Sequence, residues 1–371
     1  MKINEITTLL EEMAPLPYAE DFDNVGLLVG NGNETATGIL VCHDALECVI
    51  DEAIAKKCNL VVCFHPIIFS GLKKITGKNY VERSILKAIK NDIAIFAVHT
   101  ALDNHQQGVN KIFCNALGLV NTKILIPKQH FIKKLITYTI PENAEKLRNA
   151  LHKAGAGQIG NYDNCSFNSE GFSTYKGNEN SNPVVGTKGA LTFTNEIKIE
   201  ITFEKHLESK ILKALFENHV YEEVAYEVYY LENKHQNIGL GMIGELETEM
   251  YEKEFLEFVK QKMVANGIRH SQFLNKKIKK VAVLGGAGSF AISQSIEMGA
   301  DAFLTADLKY HQFYEAENKL LLADIGHFES ERYTKNYIFD YLNKKFSNFA
   351  NSFLINKIYL SKENTNPVYY L

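Results

Sequence analysis

Short apolar runs, each closing on a histidine or an acid, constrain this chain most. Leu60-Val61-Val62-Cys63-Phe64 leads into His65-Pro66, residues 93–98 lead into His99-Thr100-Ala101-Leu102-Asp103, and residues 320–323 lead into Asp324-Ile325-Gly326-His327. Runs this short, with no polar alternation, predict strands buried on both faces. Ile39-Leu40-Val41-Cys42 reads the same way. Helical spacing lies between them. Residues 45–57 place apolar side chains at Leu46, Val49, Ile50, Ala53 and Ile54, and 80–89 is predicted helical too. Strands divided by helices predict a mostly parallel sheet covered on both sides, an α/β fold.

The rhythm changes near Pro127. Residues 131–140 alternate like a strand, and Pro141-Glu142 opens a helix with proline in its first turn. Residues 161–183, rich in Asn, Ser and Gly, are predicted to be a long loop around a hairpin. A strand at 197–203, a helix at 207–218 and a strand at 224–231 complete a β-α-β-β-α-β order, the ferredoxin-like split motif. The predicted organisation is therefore 1–126, an inserted α+β domain at 127–235, and 236–371, the outer segments forming one split domain. In the third segment a helix is predicted at 249–265, strands at 281–284, 302–305, 320–323 and 353–359, a tight glycine turn at 285–289, and a helix at 290–298.

In an open α/β sheet, sites form outside the carboxyl ends of the strands. His65, Asp103, His327 and Glu331 are thereby brought to one rim, and this N/O donor set suits Zn²⁺, Fe or Mn²⁺. If a helix starts just after Gly326, His327 and Glu331 lie one turn apart on one face and can serve one ion or two adjacent ions. Gly285-Gly286-Ala287-Gly288-Ser289 either cradles a phosphate through Gly286, Gly288 and Ser289 or is a tight turn beside the site. Asp301, Asp307, Tyr310 and His311 are candidates for contact with ligands or substrate, with helix capping as the alternative for Asp307. Cys63 reads as an inert core residue.

Charge and composition narrow the partners. Lys and Arg number 40 against 44 Asp and Glu, a net charge of -4, which offers no general attraction to nucleic acid. No apolar run approaches the roughly 18 residues of a membrane span, and the first residues carry acids rather than a signal-peptide core. The six cysteines form no CxxC pair, which fits a reducing cytoplasm.

Together, Phe22-Asp23-Asn24-Val25-Gly26-Leu27, Phe64-His65-Pro66, His99-Thr100-Ala101-Leu102-Asp103, the glycine turn, Thr305-Ala306-Asp307-Leu308-Lys309-Tyr310-His311 and Gly326-His327-Phe328-Glu329-Ser330-Glu331 resemble the Nif-three-like dinuclear-metal family, whose members are often labelled GTP cyclohydrolase 1 type 2 homologue. Residues 155–165 and 181–186 resemble the PII/CutA-like insert of its longer members. The resemblance implies His65 and Asp103 on one metal, His327 on the other, and Glu331 bridging. It also implies a ring-shaped homo-oligomer, commonly a hexamer. This chain departs at Phe64, where the family usually has a second histidine; water or His99 would then complete the second ion, or that ion would be absent. The favoured expectation is a hydrolase of a small, nucleotide-like or phosphorylated substrate, using one or two divalent metals per subunit, with Asp103 or Glu331 orienting the attacking water. The competing expectation is a regulatory or metal-handling protein without turnover, whose insert binds an effector or serves assembly.

Overall fold

The structure, a computed structural model, describes residues 1–347 and 356–371. The chain divides into two compact units, Met1–Ile126 with Ile238–Leu371, and Pro127–Asn237. In chain order the strands are β1 (Gly26–Val29), β2 (Ile39–Cys42), β3 (Leu60–Cys63), β4 (Ala94–Ala97), β5 (Val120–Pro127), β6 (Ile132–Thr139), β7 (Phe167–Lys176), β8 (Leu191–Glu204), β9 (Tyr226–Tyr230), β10 (Gly239–Tyr251), β11 (Arg269–His270), β12 (Lys277–Ala287), β13 (Ala302–Ala306), β14 (Leu321–Asp324) and β15 (Ile358–Leu360). The helices are α1 (Ile3–Met13), α2 (Glu47–Ala55), α3 (Tyr80–Lys90), α4 (His99–Asp103), α5 (Val109–Ala116), α6 (Pro141–Lys153), α7 (Glu208–Asn218), α8 (Glu252–Lys262), α9 (Ile292–Glu297), α10 (His327–Glu331) and α11 (Thr334–Ser347).

The larger unit holds two sheets. The first runs β1-β4-β3-β2-β15, and β15, β2, β3 and β4 are all parallel. Its central strands β2, β3 and β4 are buried on both faces because helices cover both. Val41, Val62 and Phe96 face α1 and α11, whereas Leu40, Val61 and Ile95 face α2 and α3. This alternation is the period of two that a strand imposes. The second sheet runs β11-β14-β13-β12-β10-β5. Its centre, β12-β13-β14, is parallel, and β10 and β11 join it antiparallel. One face packs on α5 and α8 and the other on α9. The parallel expectation thus holds at the centres of these sheets, while β1, β10 and β11 add antiparallel pairs.

The smaller unit follows the order β6-α6-β7-β8-α7-β9, with an antiparallel sheet β7-β8-β6-β9. One face of this sheet, with Leu135, Ile199 and Ile201, buries Leu147 and Leu151 of α6 and Ile211 and Leu215 of α7.

Several boundaries differ from expectation, among them the following. Residues 249–251 have helical spacing but continue β10, because Met250 and Tyr251 pair with Ile278 and Lys277 of β12 beyond an irregularity in register. Residues 167–176, within the stretch expected as a long loop around a hairpin, form β7 along their whole length; its side chains are almost all exposed, so no alternation marks it, and antiparallel pairing with β8 holds it. Gly285, Gly286 and Ala287 belong to the end of β12 rather than to a turn. Of the strand expected at 353–359, residues 353–355 lie outside the described residues, and the described part enters β15.

Candidate metal centre

Parallel strands end on the same side, so each sheet delivers its post-strand residues to one rim. From the first sheet come His43 and Asp44 after β2, His65 after β3, and His99 at the start of α4 after β4. From the second come Asp307 after β13 and His327 and Glu331 after β14. Gly326, at φ +95°, supplies the left-handed residue that lets α10 begin directly at His327. One ligand-forming atom from each of His65, His327 and Glu331 lies within 4.8 Å of the other two, and the same holds for His43, Asp44 and His65.

Three imidazoles share one construction. His65 Nδ1 donates to Asp44 Oδ1 at 2.8 Å, His327 Nδ1 to Asp307 Oδ2 at 2.7 Å, and His99 Nδ1 to Asp23 Oδ1 at 2.8 Å. Ionised carboxylates only accept, so each Nδ1 carries a proton; Nε2 of His65 and His327 is left to face Glu331, whereas His99 belongs to neither donor set. Carboxylates behind histidines in this way are the usual support of metal-ligating imidazoles. The carboxylates are themselves held: Thr365 Oγ1 donates to Asp44 at 2.5 Å, and the backbone N–H and hydroxyl of Thr100 donate to Asp23. His99 sits at φ +26° and Asp307 at φ +56°, left-handed backbone that non-glycine residues adopt at a cost and that gathers at functional sites.

Glu331 is the hub. Its side chain is 3% exposed, and Oε2 stands 3.4 Å from His43 Nε2, 3.2 Å from His65 Nε2 and 3.3 Å from His327 Nε2. None of these contacts has hydrogen-bond geometry, and Oε2 has no hydrogen-bond partner among the described residues. A buried polar atom left without a partner costs about 1–3 kcal/mol. Donors bound to zinc at about 2.0–2.2 Å sit about 3.3–3.5 Å apart along the edges of a tetrahedron. The separations around Oε2 are close to such edges, so these residues fit a divalent cation.

The electrostatics agree. Burial works against a charged imidazole, yet the Glu331 and Asp44 carboxylates push His65 up to about 10, and Glu331 and Asp307 push His327 up to about 11. Burial likewise opposes ionisation of Glu331, but His327 and His65 hold it well below the usual carboxylate range. Without a metal, protons on the histidines balance the buried carboxylate.

Asp103 closes α4, with Oδ1 buried and without a hydrogen-bond partner among the described residues. Burial first, and then the Glu331 charge, push its pKa well above the ordinary value. It belongs to neither tight donor set, though it feels the charges of Glu331, His65 and His327. Gly286 stands against the site: a Cβ there would lie 2.6 Å from Glu331 Oε1. Of the amides in the phosphate-cradle alternative, that of Gly286 is engaged, donating to Ser330 Oγ, and the neighbouring Gly285 amide donates to Asn110 Oδ1. Gly288 lies instead against Thr305 and Leu284, and Ser289 starts a short 3-10 turn. Asp307 orients His327 rather than capping a helix. His311 is exposed and packs on Tyr310 and Tyr314 outside either donor set. Sequence reading missed His43 and Asp44. Cys42-His43-Asp44 follows a buried strand just as Phe64-His65 does, so the strand-end rule applied to β2 would have found both.

The sequence profile of Duf34/NIF3 (NGG1p interacting factor 3) matches residues 1–367. A Bacillus subtilis protein named GTP cyclohydrolase 1 type 2 homolog is 38% identical, over 99% of this chain and 98% of its own. A Halalkalibacterium halodurans protein of the same name is 39% identical over 87% of each chain. The crystal structure of a Bacillus cereus protein related to NIF3 superposes with a TM-score of 0.83 at 38% identity, covering 100% of this chain and 99% of that one. A match along nearly the whole sequence, with the same fold at this identity, means that the chain belongs to the Duf34/NIF3 family.

Proposed function

We propose that this protein is a divalent-metal-dependent hydrolase of a small molecule. The observation that carries the proposal is the convergence of His65 and His327, each backed by a carboxylate, on one unpartnered oxygen of Glu331. A divalent cation, Zn, Fe or Mn, one or two per subunit, supplies Lewis acidity and a nucleophile at neutral pH. His65, His327 and Glu331 hold it, while Asp44 and Asp307 fix the two imidazoles in tautomer and direction. Asp103, with its raised pKa and sealed Oδ1, is placed to hold or accept a proton near that centre. The relatives' name points to a nucleotide base as the substrate class. The remaining parts of this reading are a PII/CutA-like insert, supported by its β-α-β-β-α-β order, assembly into a hexamer, and a place in the cytoplasm.

The test is elemental analysis of purified protein with a panel of nucleotides and phosphoesters. Metal retained through dialysis, together with turnover abolished by His327→Ala, supports the reading; turnover that survives the substitution overturns it. A second reading, regulation without turnover, draws on one observation in the insert. A cavity of about 680 Å³ there is lined by Tyr138, Phe172, Tyr175, Glu196, Lys198 and Tyr221, aromatic and charged groups suited to an effector. Exchangeable metal, no turnover and a ligand protecting these residues would favour it.

A further inference from the structure

We propose that His43 is a metal ligand of this centre, donating through Nε2 beside Glu331 from a position next to Phe64. The inference rests on the metal-centre reading above.

His43 is 3% exposed, and both its ring nitrogens are buried without a hydrogen-bond partner among the described residues. Its ring packs against Phe64 at 5.4 Å, Phe328 at 5.0 Å and the edge of His65 at 4.7 Å between centroids. Two phenyl rings confine the imidazole and satisfy neither nitrogen. The confinement has a direction: Nε2 stands 3.4 Å from Glu331 Oε2, the oxygen that His65 and His327 also approach. His43 thus brings a third imidazole nitrogen to one carboxylate oxygen, and its tight donor set is with Asp44 and His65 while His327 belongs to the set of His65 and Glu331, so Glu331 stands between an imidazole from each.

The backbone explains how the ring arrives there. Cys42 pairs with Cys63 in the parallel register of β2 and β3, so His43 and Phe64 are side by side one residue later. The His43 carbonyl accepts from the amides of both Phe64 and His65 at 3.1 Å, which fixes the two strand ends together. An imidazole from position 43 or from position 64 would therefore enter neighbouring space. Phe64, fully buried, cannot donate to a metal and instead walls the ring of His43. His43 differs from His65, His99 and His327 in having no carboxylate hydrogen-bonded behind it; aromatic packing takes over the orienting role.

The test uses the full chain, stripped of metal and titrated with Zn²⁺, with Co²⁺ as a spectroscopic stand-in. His43→Leu keeps an apolar side chain in the aromatic pocket. It is expected to lose one equivalent of zinc or at least tenfold in affinity, and to change the visible spectrum of the cobalt form. The double variant His43→Leu/Phe64→His is expected to regain the lost metal, since it returns an imidazole to adjoining space. His43→Gln, of similar length and polar, serves as the second variant if leucine does not fold. Stoichiometry, affinity and cobalt spectrum unchanged in either single variant would overturn the proposal while leaving the centre at His65, His327 and Glu331 standing. Wild-type protein that takes up no metal at all would instead overturn the metal-centre reading, and this inference with it.

Discussion

Two buried glutamates of the larger unit lead opposite lives. Glu252 opens α8 at 4% exposure, and its carboxylate accepts the backbone amides of Leu274 at 2.8 and 3.0 Å and of Asn275 at 2.8 Å. Glu331 in α10 is buried as deeply, yet its Oε2 faces imidazole nitrogens and has no hydrogen bond. Glu252 is satisfied by the chain itself and closes a loop. Glu331 leaves an oxygen with no hydrogen-bond partner among the described residues, the feature on which the proposed metal centre rests. Depth of burial is the same; what separates the two acids is whether the backbone has already answered them.

The sharpest way to break this comparison is to neutralise both acids. Glu331→Gln is expected to lower metal retention by more than about a hundredfold, beyond the roughly 10–100-fold typical of an outer partner, measured by elemental analysis after dialysis. Retained metal would remove Glu331 from the ligand set. Next in size, Asp44→Asn and Asp307→Asn should each cost about 10–100-fold in zinc affinity, because each imidazole loses its orienting acceptor; competition with a chromophoric chelator reads this, and an unchanged constant would reduce these carboxylates to surface contacts. Glu252→Gln should leave metal content alone and destabilise the fold by about 1–3 kcal/mol, seen as a lower denaturation midpoint. Loss of metal in that variant would erase the distinction between the two acids.

A further effect concerns pH, and its sign differs between groups. In metal-free protein His65 and His327 are raised to about 10 and about 11 from an ordinary value of 6.5. Their contribution to stability is fully present below that ordinary value and is lost as pH rises through about 10 and 11. Glu82 behaves oppositely. It accepts from the backbone N–H and hydroxyl of Thr76 and the N–H of Lys78, and these bonds lower it to about 2 from 4.5. Its contribution is present above the ordinary value and is lost as pH falls through about 2. Denaturation midpoints of metal-free wild type and of His65→Gln should converge at high pH; those of wild type and Glu82→Gln should converge only in strong acid. Parallel curves across the whole range would refute the assignment.

What the sequence determined on its own was local. Apolar runs of strand length marked β2, β3, β4 and β14, and Gly326 with the four-residue spacing of His327 and Glu331 placed both side chains on one helical turn, because strand and helix periods are properties of neighbouring residues. The family was legible for the same reason, since its motifs are short contiguous stretches. Tertiary structure alone decided which charges answer one another. Asp23 supports His99 across 76 residues of sequence, Thr365 holds Asp44 across 321, and Asp307 reaches His327 across 20. It also decided that the Gly285 and Gly286 amides serve Asn110 and Ser330 rather than a phosphate, and that residues 249–251 extend β10 against their helical spacing. Partners distant along the chain leave no periodicity in it; only packing selects which of many buried polar groups is satisfied and which, like Glu331 Oε2, has no hydrogen-bond partner among the described residues.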